Sequence, residues 1–155
     1  MNQIFQFKGI RIHHAAIDMR QFDDPVATIR DWHVNGRGWS DIGYHALVHP
    51  ETGEIFPGRT WDRTGAHDLH ENDCFGICLM ANYSEELPNA VALGSGAMLC
   101  ALVSQLVGNP LEIQGHREWD PVSGVDATDC PGLNFDMDEF RALCAGYAEK
   151  YKFLR

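Results

Sequence analysis

Histidine and cysteine are the residues in this sequence best suited to metal binding, and several of them fall where predicted strands end. The chain contains 8 His and 5 Cys in 155 residues. His13 and His14 close one apolar run, His116 follows another at 111–114, and Cys130 lies in a loop. Because side chains at strand ends converge in open α/β sheets, we expect these groups to lie close together. Two imidazoles and one thiolate suit tetrahedral Zn²⁺, and three protein ligands would leave one position open for catalysis.

No short metal or redox motif links these residues. The sequence lacks HExxH, which excludes a helical zinc site of the thermolysin type. His116-Arg-Glu118 followed by Cys130-Pro131 resembles part of the zinc deaminase signature, but the order of Cys and Pro is reversed and the second Cys is missing. Cys74 and Cys78 do not have the CxxC spacing, and on a strand they would lie roughly 13 Å apart. We therefore expect these two cysteines to be buried apolar residues.

The pattern between these residues predicts an α/β fold in which helices flank a mixed central sheet. Asp24 and Pro25 are typical of a helix start, and Gly108 of a helix end. Glu51-Thr-Gly53 predicts a hairpin turn, so the strands on either side of it are expected to be antiparallel. Predicted strands cover 10–16, 44–49, 54–57, 75–81 and 111–114, and predicted helices cover 25–33, 88–107 and 136–151. The length is close to the ~150 residues typical of one domain, so we expect residues 1–155 to form a single domain.

The charge of the chain argues against two classes of partner. Lys plus Arg number 12 and Asp plus Glu 22, which gives a net charge of −10 at pH 7. Nucleic-acid binding and charge-driven docking on anionic lipid both need a basic surface. No run approaches the ~18 consecutive apolar residues of a membrane span, and residues 1–10 do not have the pattern of a secretory signal. We expect no nucleic-acid or membrane partner, a monomer, and synthesis in the cytoplasm, where an odd number of cysteines stays reduced.

Short motifs follow one another in a fixed order from about residue 10 to residue 132. They are Ile12-His-His-Ala15, Trp39-Ser-Asp-Ile-Gly-Tyr-His45, Gly58-Arg59, Gly65-Ala-His67, Gly76-Ile-Cys-Leu-Met80, Gly115-His116 and Cys130-Pro-Gly132. This series resembles the N-acetylmuramoyl-L-alanine amidase family, the zinc amidases that include phage lysozyme-type enzymes and animal peptidoglycan recognition proteins. The resemblance implies one α/β domain with a zinc ion at the floor of a surface groove. It also implies hydrolysis of the amide bond between N-acetylmuramic acid and L-alanine in peptidoglycan.

The resemblance further implies roles for individual residues. His13, His116 and Cys130 match the family's three zinc ligands. Tyr44 matches its catalytic tyrosine, which contacts the attacking water or the developing oxyanion. Thr128 matches a catalytic position that is Lys in some phage enzymes and Thr in many active recognition-protein amidases. The positions that line the muramyl-peptide groove of the recognition proteins are matched by His33, Arg37, Trp39, His67 and Asn72.

Two other classes of function remain open at this point. A recognition module that binds muramyl peptide without cutting it commonly lacks the Cys ligand, so Cys130 favours the enzyme. An inhibitor that binds another protein, a side role of some phage relatives, leaves no mark in the sequence. As an enzyme, the chain fits a phage or prophage endolysin that reaches the cell wall after release. A small bacterial effector or an enzyme that acts on cytoplasmic wall fragments fits nearly as well.

Overall fold

The described chain forms a five-stranded sheet with helices on both faces. The computed structural model describes residues 6–118 and 128–152. The strands are β1 (Gly9–His14), β2 (Ala46–Val48), β3 (Ile55–Pro57), β4 (Phe75–Leu79) and β5 (Glu112–Gly115), and the α-helices are α1 (Pro25–Asp31), α2 (Ala90–Val107) and α3 (Met137–Tyr151). A π-helical turn at Trp32–Gly36 continues α1, and a 3₁₀ turn at His116–Glu118 follows β5. The predicted α/β class with a mixed sheet is confirmed.

The order of the strands brings distant parts of the sequence to one end of the sheet. The order is β3-β2-β4-β1-β5. β2, β4, β1 and β5 run parallel, whereas β2 and β3 form the predicted antiparallel pair. Gly115 is the last residue of β5 and pairs with Ile12 of β1. His116 therefore follows β5 at the level of His13.

The two faces of the sheet carry different structures. On one face, Ile10, Ile12 and Ile77 pack with α2 and α3 in the larger core. On the other, Leu47 and Cys78 pack with Ile29 of α1 in a smaller core. Because side chains alternate along a strand, His13 lies on the α1 face and its neighbour His14 on the opposite face. The Nδ1 atom of His14 accepts a hydrogen bond from the backbone N–H of Tyr83 at 3.1 Å.

The ends of the helices follow their capping residues. The side chain of Asp24 accepts from the N–H of Ala27, as its position before Pro25 predicts. The expected start of the long helix at Pro88 is two residues early: the helix begins at Ala90, and its N-cap Asn89 accepts from the N–H of Ala92 at 2.8 Å. Gly108 closes that helix with a φ of 81°, a left-handed conformation that glycine adopts at little cost.

Among the described helices, α2 alone is long and apolar enough to cross a membrane. Its 18 residues have a mean hydropathy of 1.9. Core helices of globular domains also meet this criterion, and α2 buries Leu93, Ala97 and Cys100 in the larger core.

Candidate metal centre

Three of the residues singled out in the sequence meet at the carboxyl ends of β1 and β5. One potential ligand atom from each of His13, His116 and Cys130 lies within 4.8 Å of the others. The Sγ atom of Cys130 lies 3.6 Å from Nδ1 of His13. His13 is buried, whereas His116 and Cys130 are half-buried. The cluster therefore has a closed side at the sheet and an open side towards solvent.

Arg117 holds the loop that carries Cys130 against the loop that carries His116. Its backbone N–H donates to the carbonyl of Cys130 at 2.7 Å, and its guanidinium donates to the carbonyls of Gly132 and Phe135. Gly132 has a φ of 110°, and a Cβ there would lie 2.5 Å from the carbonyl carbon of Tyr83. The Cys-Pro-Gly sequence thus needs glycine for both conformation and space.

A chain of hydrogen bonds fixes the ring of His13. Its Nε2 lies 3.0 Å from Nδ1 of His67, and Nε2 of His67 lies 3.0 Å from the carbonyl oxygen of Cys74. A carbonyl only accepts, so Nε2 of His67 carries the proton and its Nδ1 accepts from Nε2–H of His13. The remaining nitrogen of His13, Nδ1, is then unprotonated and faces Cys130. This is the tautomer that a metal ligand needs.

The ring of His67 lies in a slot between two glycines. A Cβ at Gly65 would lie 2.2 Å from Cδ2 of His67, and a Cβ at Gly76 would lie 2.3 Å from the same atom. Any side chain at either position would displace the ring. The slot is thus a second constraint, beside the hydrogen bonds, on the imidazole that contacts His13.

Burial keeps the site residues in their neutral forms. Burial, and then the neighbouring rings of His67 and His116, hold the pKa of His13 well below its ordinary value. Burial and then His45 lower the pKa of His67 to about 3. Burial raises the pKa of Cys130 to about 12. Neutral imidazole is the ligand form of histidine, and a thiol beside a bound cation loses its proton. The donor set therefore fits a soft or borderline divalent metal such as zinc.

Tyr44 and Thr128 lie next to the ligands. The ring of Tyr44 is 5.3 Å from that of His13 between centroids. Burial, and then Cys78 and Cys130, raise the pKa of Tyr44 well above its ordinary value, so its hydroxyl keeps its proton and can donate. The hydroxyl oxygen of Thr128 accepts from the N–H of Cys130 at 3.1 Å, and its proton remains for another acceptor.

The residues expected to line a groove fall into two groups. His33, Trp39 and Arg37 lie together: the two rings are 4.7 Å apart, and the guanidinium of Arg37 lies 5.2 Å from the centroid of Trp39. His67 is buried, with both nitrogens bonded inside the protein, and Oδ1 of Asn72 accepts from the N–H of His67 at 2.8 Å. Asn72 thus holds His67, which contacts His13. Contact of any of these five residues with a bound muramyl peptide stays a prediction.

A second group of possible metal ligands, formed by Glu71, Asp73 and Cys74, is already paired with cations. Arg11 lies 3.4 Å from a carboxylate oxygen of Glu71, and Lys8 pairs with Asp73. The Sγ–H of Cys74 donates to Glu71. This group stabilises the turn before β4 rather than offering a free site. The prediction that Cys74 and Cys78 are buried is confirmed.

The sequence matches the family described as N-acetylmuramoyl-L-alanine amidase over residues 4–133. This range includes all three residues of the metal cluster. The chain belongs to this family.

The relatives of this chain include amidases and peptidoglycan-recognition proteins. The N-acetylmuramoyl-L-alanine amidase of Sus scrofa is 32% identical over 131 residues, which are 78% of this chain but 21% of the relative. Peptidoglycan-recognition protein SC1a of Drosophila melanogaster is 30% identical over 130 residues, 79% of this chain and 66% of the relative. The chain thus spans about a fifth of the mammalian amidase and about two thirds of the insect protein.

Solved structures of the amidase family share the fold. The N-acetylmuramoyl-L-alanine amidase LysC from Clostridium intestinale superposes with a TM-score of 0.73 at 29% identity, covering 89% of this chain and 86% of the other. Drosophila PGRP-LB superposes with a TM-score of 0.68 at 27% identity, covering 84% and 80%. The single sheet with flanking helices is therefore shared by the amidase and recognition branches.

The sequence motifs did not identify the side chains that position the ligands. Arg117 directly follows a predicted ligand, but nothing in the sequence shows that its guanidinium reaches the Cys130 loop. His67 was expected in the groove, and only the structure shows that it contacts His13. Asp68, whose carboxylate oxygen Oδ2 lies 3.9 Å from Nε2 of His116, looks like any other loop carboxylate in the sequence.

Proposed function

We propose that this protein is a zinc-dependent amidase that hydrolyses the bond between N-acetylmuramic acid and L-alanine in peptidoglycan. The observation that carries the proposal is the convergence of His13, His116 and Cys130 with the hydroxyl-bearing Tyr44 beside them. A recognition protein needs a groove but no metal ligands. A cluster with an open side and three ligands matches a catalytic zinc site, since structural sites use four.

Zinc would be held by Nδ1 of His13, by an imidazole nitrogen of His116 and by the thiolate of Cys130. When bound, zinc supplies a Lewis acid for the scissile carbonyl and makes water a nucleophile near neutral pH. A thiolate ligand reduces the acidity of zinc by donating charge to it. Additional hydrogen-bond donors from the protein are then needed to stabilise the negative charge that develops on the carbonyl oxygen.

The residues of this chain can supply those donors. Tyr44 keeps its proton because burial raises its pKa, and its ring lies beside that of His13. Its hydroxyl can therefore donate to the oxyanion without carrying charge itself. Thr128 already accepts from the N–H of Cys130, which leaves its hydroxyl proton for the same purpose. Because the side chain of Thr128 is uncharged, it cannot provide a positively charged contact to the oxyanion.

The cluster of His33, Arg37 and Trp39 is the proposed contact for the muramyl peptide. Arg37 is exposed and lies over the ring of Trp39, an arrangement that orients a guanidinium for a carboxylate. The ring of His33 lies 5.5 Å from that of Tyr44, which connects this cluster to the metal centre. Stem peptides of peptidoglycan carry free carboxylates, so Arg37 is placed to bind one.

The biological setting that we propose is lysis of a bacterial wall by a phage or prophage endolysin. Support comes from the likeness to the endolysin LysCS from Clostridium intestinale, which superposes with a TM-score of 0.73 at 28% identity. Effector and recycling roles use the same chemistry and differ in where the enzyme meets its substrate.

Digestion of purified sacculi tests the proposed activity. With one equivalent of zinc, we expect mass spectrometry to find released peptides with a free L-alanine amino terminus and glycan strands with intact glycosidic bonds. Cys130→Ser and chelation should both abolish release. Cys144→Ala, which alters a buried thiol of α3, should retain it. Binding of soluble muramyl peptide by both the wild type and Cys130→Ser, without any cleavage by the zinc-loaded wild type, would instead establish a recognition module.

A further inference from the structure

The carboxylate of Asp68 is buried next to the metal centre and is only partly satisfied. Asp68 is 5% exposed. Its Oδ1 accepts from the N–H of His70 at 3.0 Å, but its Oδ2 accepts no hydrogen bond within residues 6–118 and 128–152. A buried carboxylate oxygen without a hydrogen-bond donor substantially destabilises the folded protein. A group in this position is therefore expected to face a donor or a cation when the protein is active.

The group that faces Oδ2 of Asp68 is His116. Its Nε2 lies 3.9 Å from Oδ2, about 1 Å beyond a normal N–H···O distance. His116 is half-buried and lies in the 3₁₀ turn that follows the end of β5. Asp68 itself is held in place, because its backbone N–H donates to Oδ1 of Asn72 at 3.1 Å.

We propose that Asp68 is a positioning residue for the second metal ligand. Its Oδ2 accepts from Nε2–H of His116, which leaves Nδ1 of His116 as the nitrogen that binds the metal. This inference rests on the metal site of the proposed function. His67, one residue earlier, orients His13 in the same way, so two consecutive residues of one loop set the tautomers of both histidine ligands.

The two supports differ in charge. The chain from His13 ends on the neutral carbonyl of Cys74, whereas His116 faces a carboxylate. A carboxylate makes an imidazole ligand more basic and adds a negative charge near a divalent cation. Removing this charge should weaken metal binding. It should also increase the stability of the metal-free protein, which would no longer bury an unpaired carboxylate oxygen. The two effects have opposite signs, which separates positioning from a purely structural role.

Asp68→Asn tests the proposal with little change of shape, since the amide oxygen can still accept from the N–H of His70. We expect zinc affinity, measured by competition with a chromophoric chelator, to fall about 10- to 100-fold. The thermal midpoint of the metal-free variant should equal or exceed that of the wild type. Asp68→Ala, which removes the acceptor as well, should bind zinc more weakly still. The absorption spectrum of the Co²⁺ form should retain the same ligand set in Asp68→Asn.

Asp129→Asn is the matched control, because it removes one negative charge beside Cys130 from an exposed side chain. We expect it to leave zinc affinity unchanged within about twofold, since exposed charges are screened. Equal affinity losses in the two variants would overturn the proposal in favour of a general charge effect. Unchanged zinc affinity in Asp68→Asn, a lower metal-free midpoint alone, or a changed Co²⁺ ligand set would overturn it as well. Zinc binding without cleavage of sacculi would refute the proposed activity and leave this assignment standing.

Discussion

Replacement of Gly76 by alanine tests whether the slot around His67 controls the metal centre. Gly76 lies on β4, directly against the ring of His67. The new Cβ would lie 2.3 Å from Cδ2 and 2.6 Å from Nε2 of that ring. An ordinary contact of 3.4 Å requires the ring to withdraw by 3.4 − 2.3, about 1.1 Å. The ring cannot do so freely, because both of its nitrogens hold hydrogen bonds of 3.0 Å.

A displacement of this size has a calculable effect on stability. It lengthens the bond to His13 or the bond to Cys74 to about 4 Å, which is no longer a hydrogen bond. Leaving a buried polar group unpaired costs about 1–3 kcal/mol, and overpacking a core costs a similar amount. We therefore expect Gly76→Ala to lower the free energy of unfolding of the metal-free protein by about 2–5 kcal/mol. Zinc affinity should fall about 10- to 100-fold, because the ring of His13 loses its orientation.

Urea unfolding and chelator competition measure these two effects on the same protein. Gly146→Ala in α3 is the control: a Cβ there meets nothing within 4 Å, and alanine should stabilise the helix by up to about 1 kcal/mol. Because Gly76→Ala could fail to fold, His67→Phe provides a second route, since it keeps a ring in the slot but removes both nitrogens. Wild-type zinc affinity in either folded variant would refute the role that we assign to the hydrogen-bond chain.

Three further perturbations follow from the structure. Burial, and then Arg37 and Arg59, lower the pKa of His33 to about 4. Burial lowers the pKa of His45 to about 4, although its hydrogen bond to the carbonyl of Arg63 acts in the opposite direction. Below about pH 6.5 the unfolded chain therefore binds protons that the folded chain does not bind, and urea titrations should show the stability of the metal-free protein falling as the pH drops towards 4, by up to about 1.4 kcal/mol per pH unit for each histidine. A pH-independent midpoint over this range would contradict the buried neutral state. Asn89→Ala removes the N-cap of α2 and should lower the free energy of unfolding by about 1 kcal/mol in the same assay. An unchanged urea midpoint would show that the cap does not contribute to stability. Arg117→Met removes the guanidinium contacts to Gly132 and Phe135. It should lower the free energy of unfolding by about 3 kcal/mol and weaken zinc binding. Zinc binding as tight as that of the wild type would show that the Cys130 loop keeps its conformation without these contacts.

The sequence predicted the elements because those features are local, and short motifs singled out the three residues that the structure brings together. Apolar runs gave the strands, and Asp24 and Gly108 marked the ends of helices. The start of α2 was misplaced because Pro88 and Asn89 are both typical of a helix start, and only the hydrogen bond to Ala92 distinguishes the cap from its neighbour.

The supports of the ligands could not be predicted in the same way, because they depend on contacts across the fold. His67 and His13 are 54 residues apart, and their contact requires the pairing of β1 with β4 and the space left by Gly65 and Gly76. The resemblance placed His67 among the residues that line the muramyl-peptide groove, but the sequence could not distinguish a side chain that faces the groove from one that contacts His13. Asp68 differs from the other loop carboxylates of the described chain in being buried. Its burial depends on the folded loop and cannot be predicted from the residue type.

The alternation of His13 and His14 along β1 makes the metal centre dependent on the register of the sheet. A shift of one residue would place Ile12 or His14 where His13 now meets Cys130, and it would turn an apolar side chain out of the larger core. A chain with mispaired strands therefore cannot present the three ligands together. Zinc uptake by this protein would then report correct strand pairing, so that only chains that have completed their sheet acquire the ion on which we propose that activity depends.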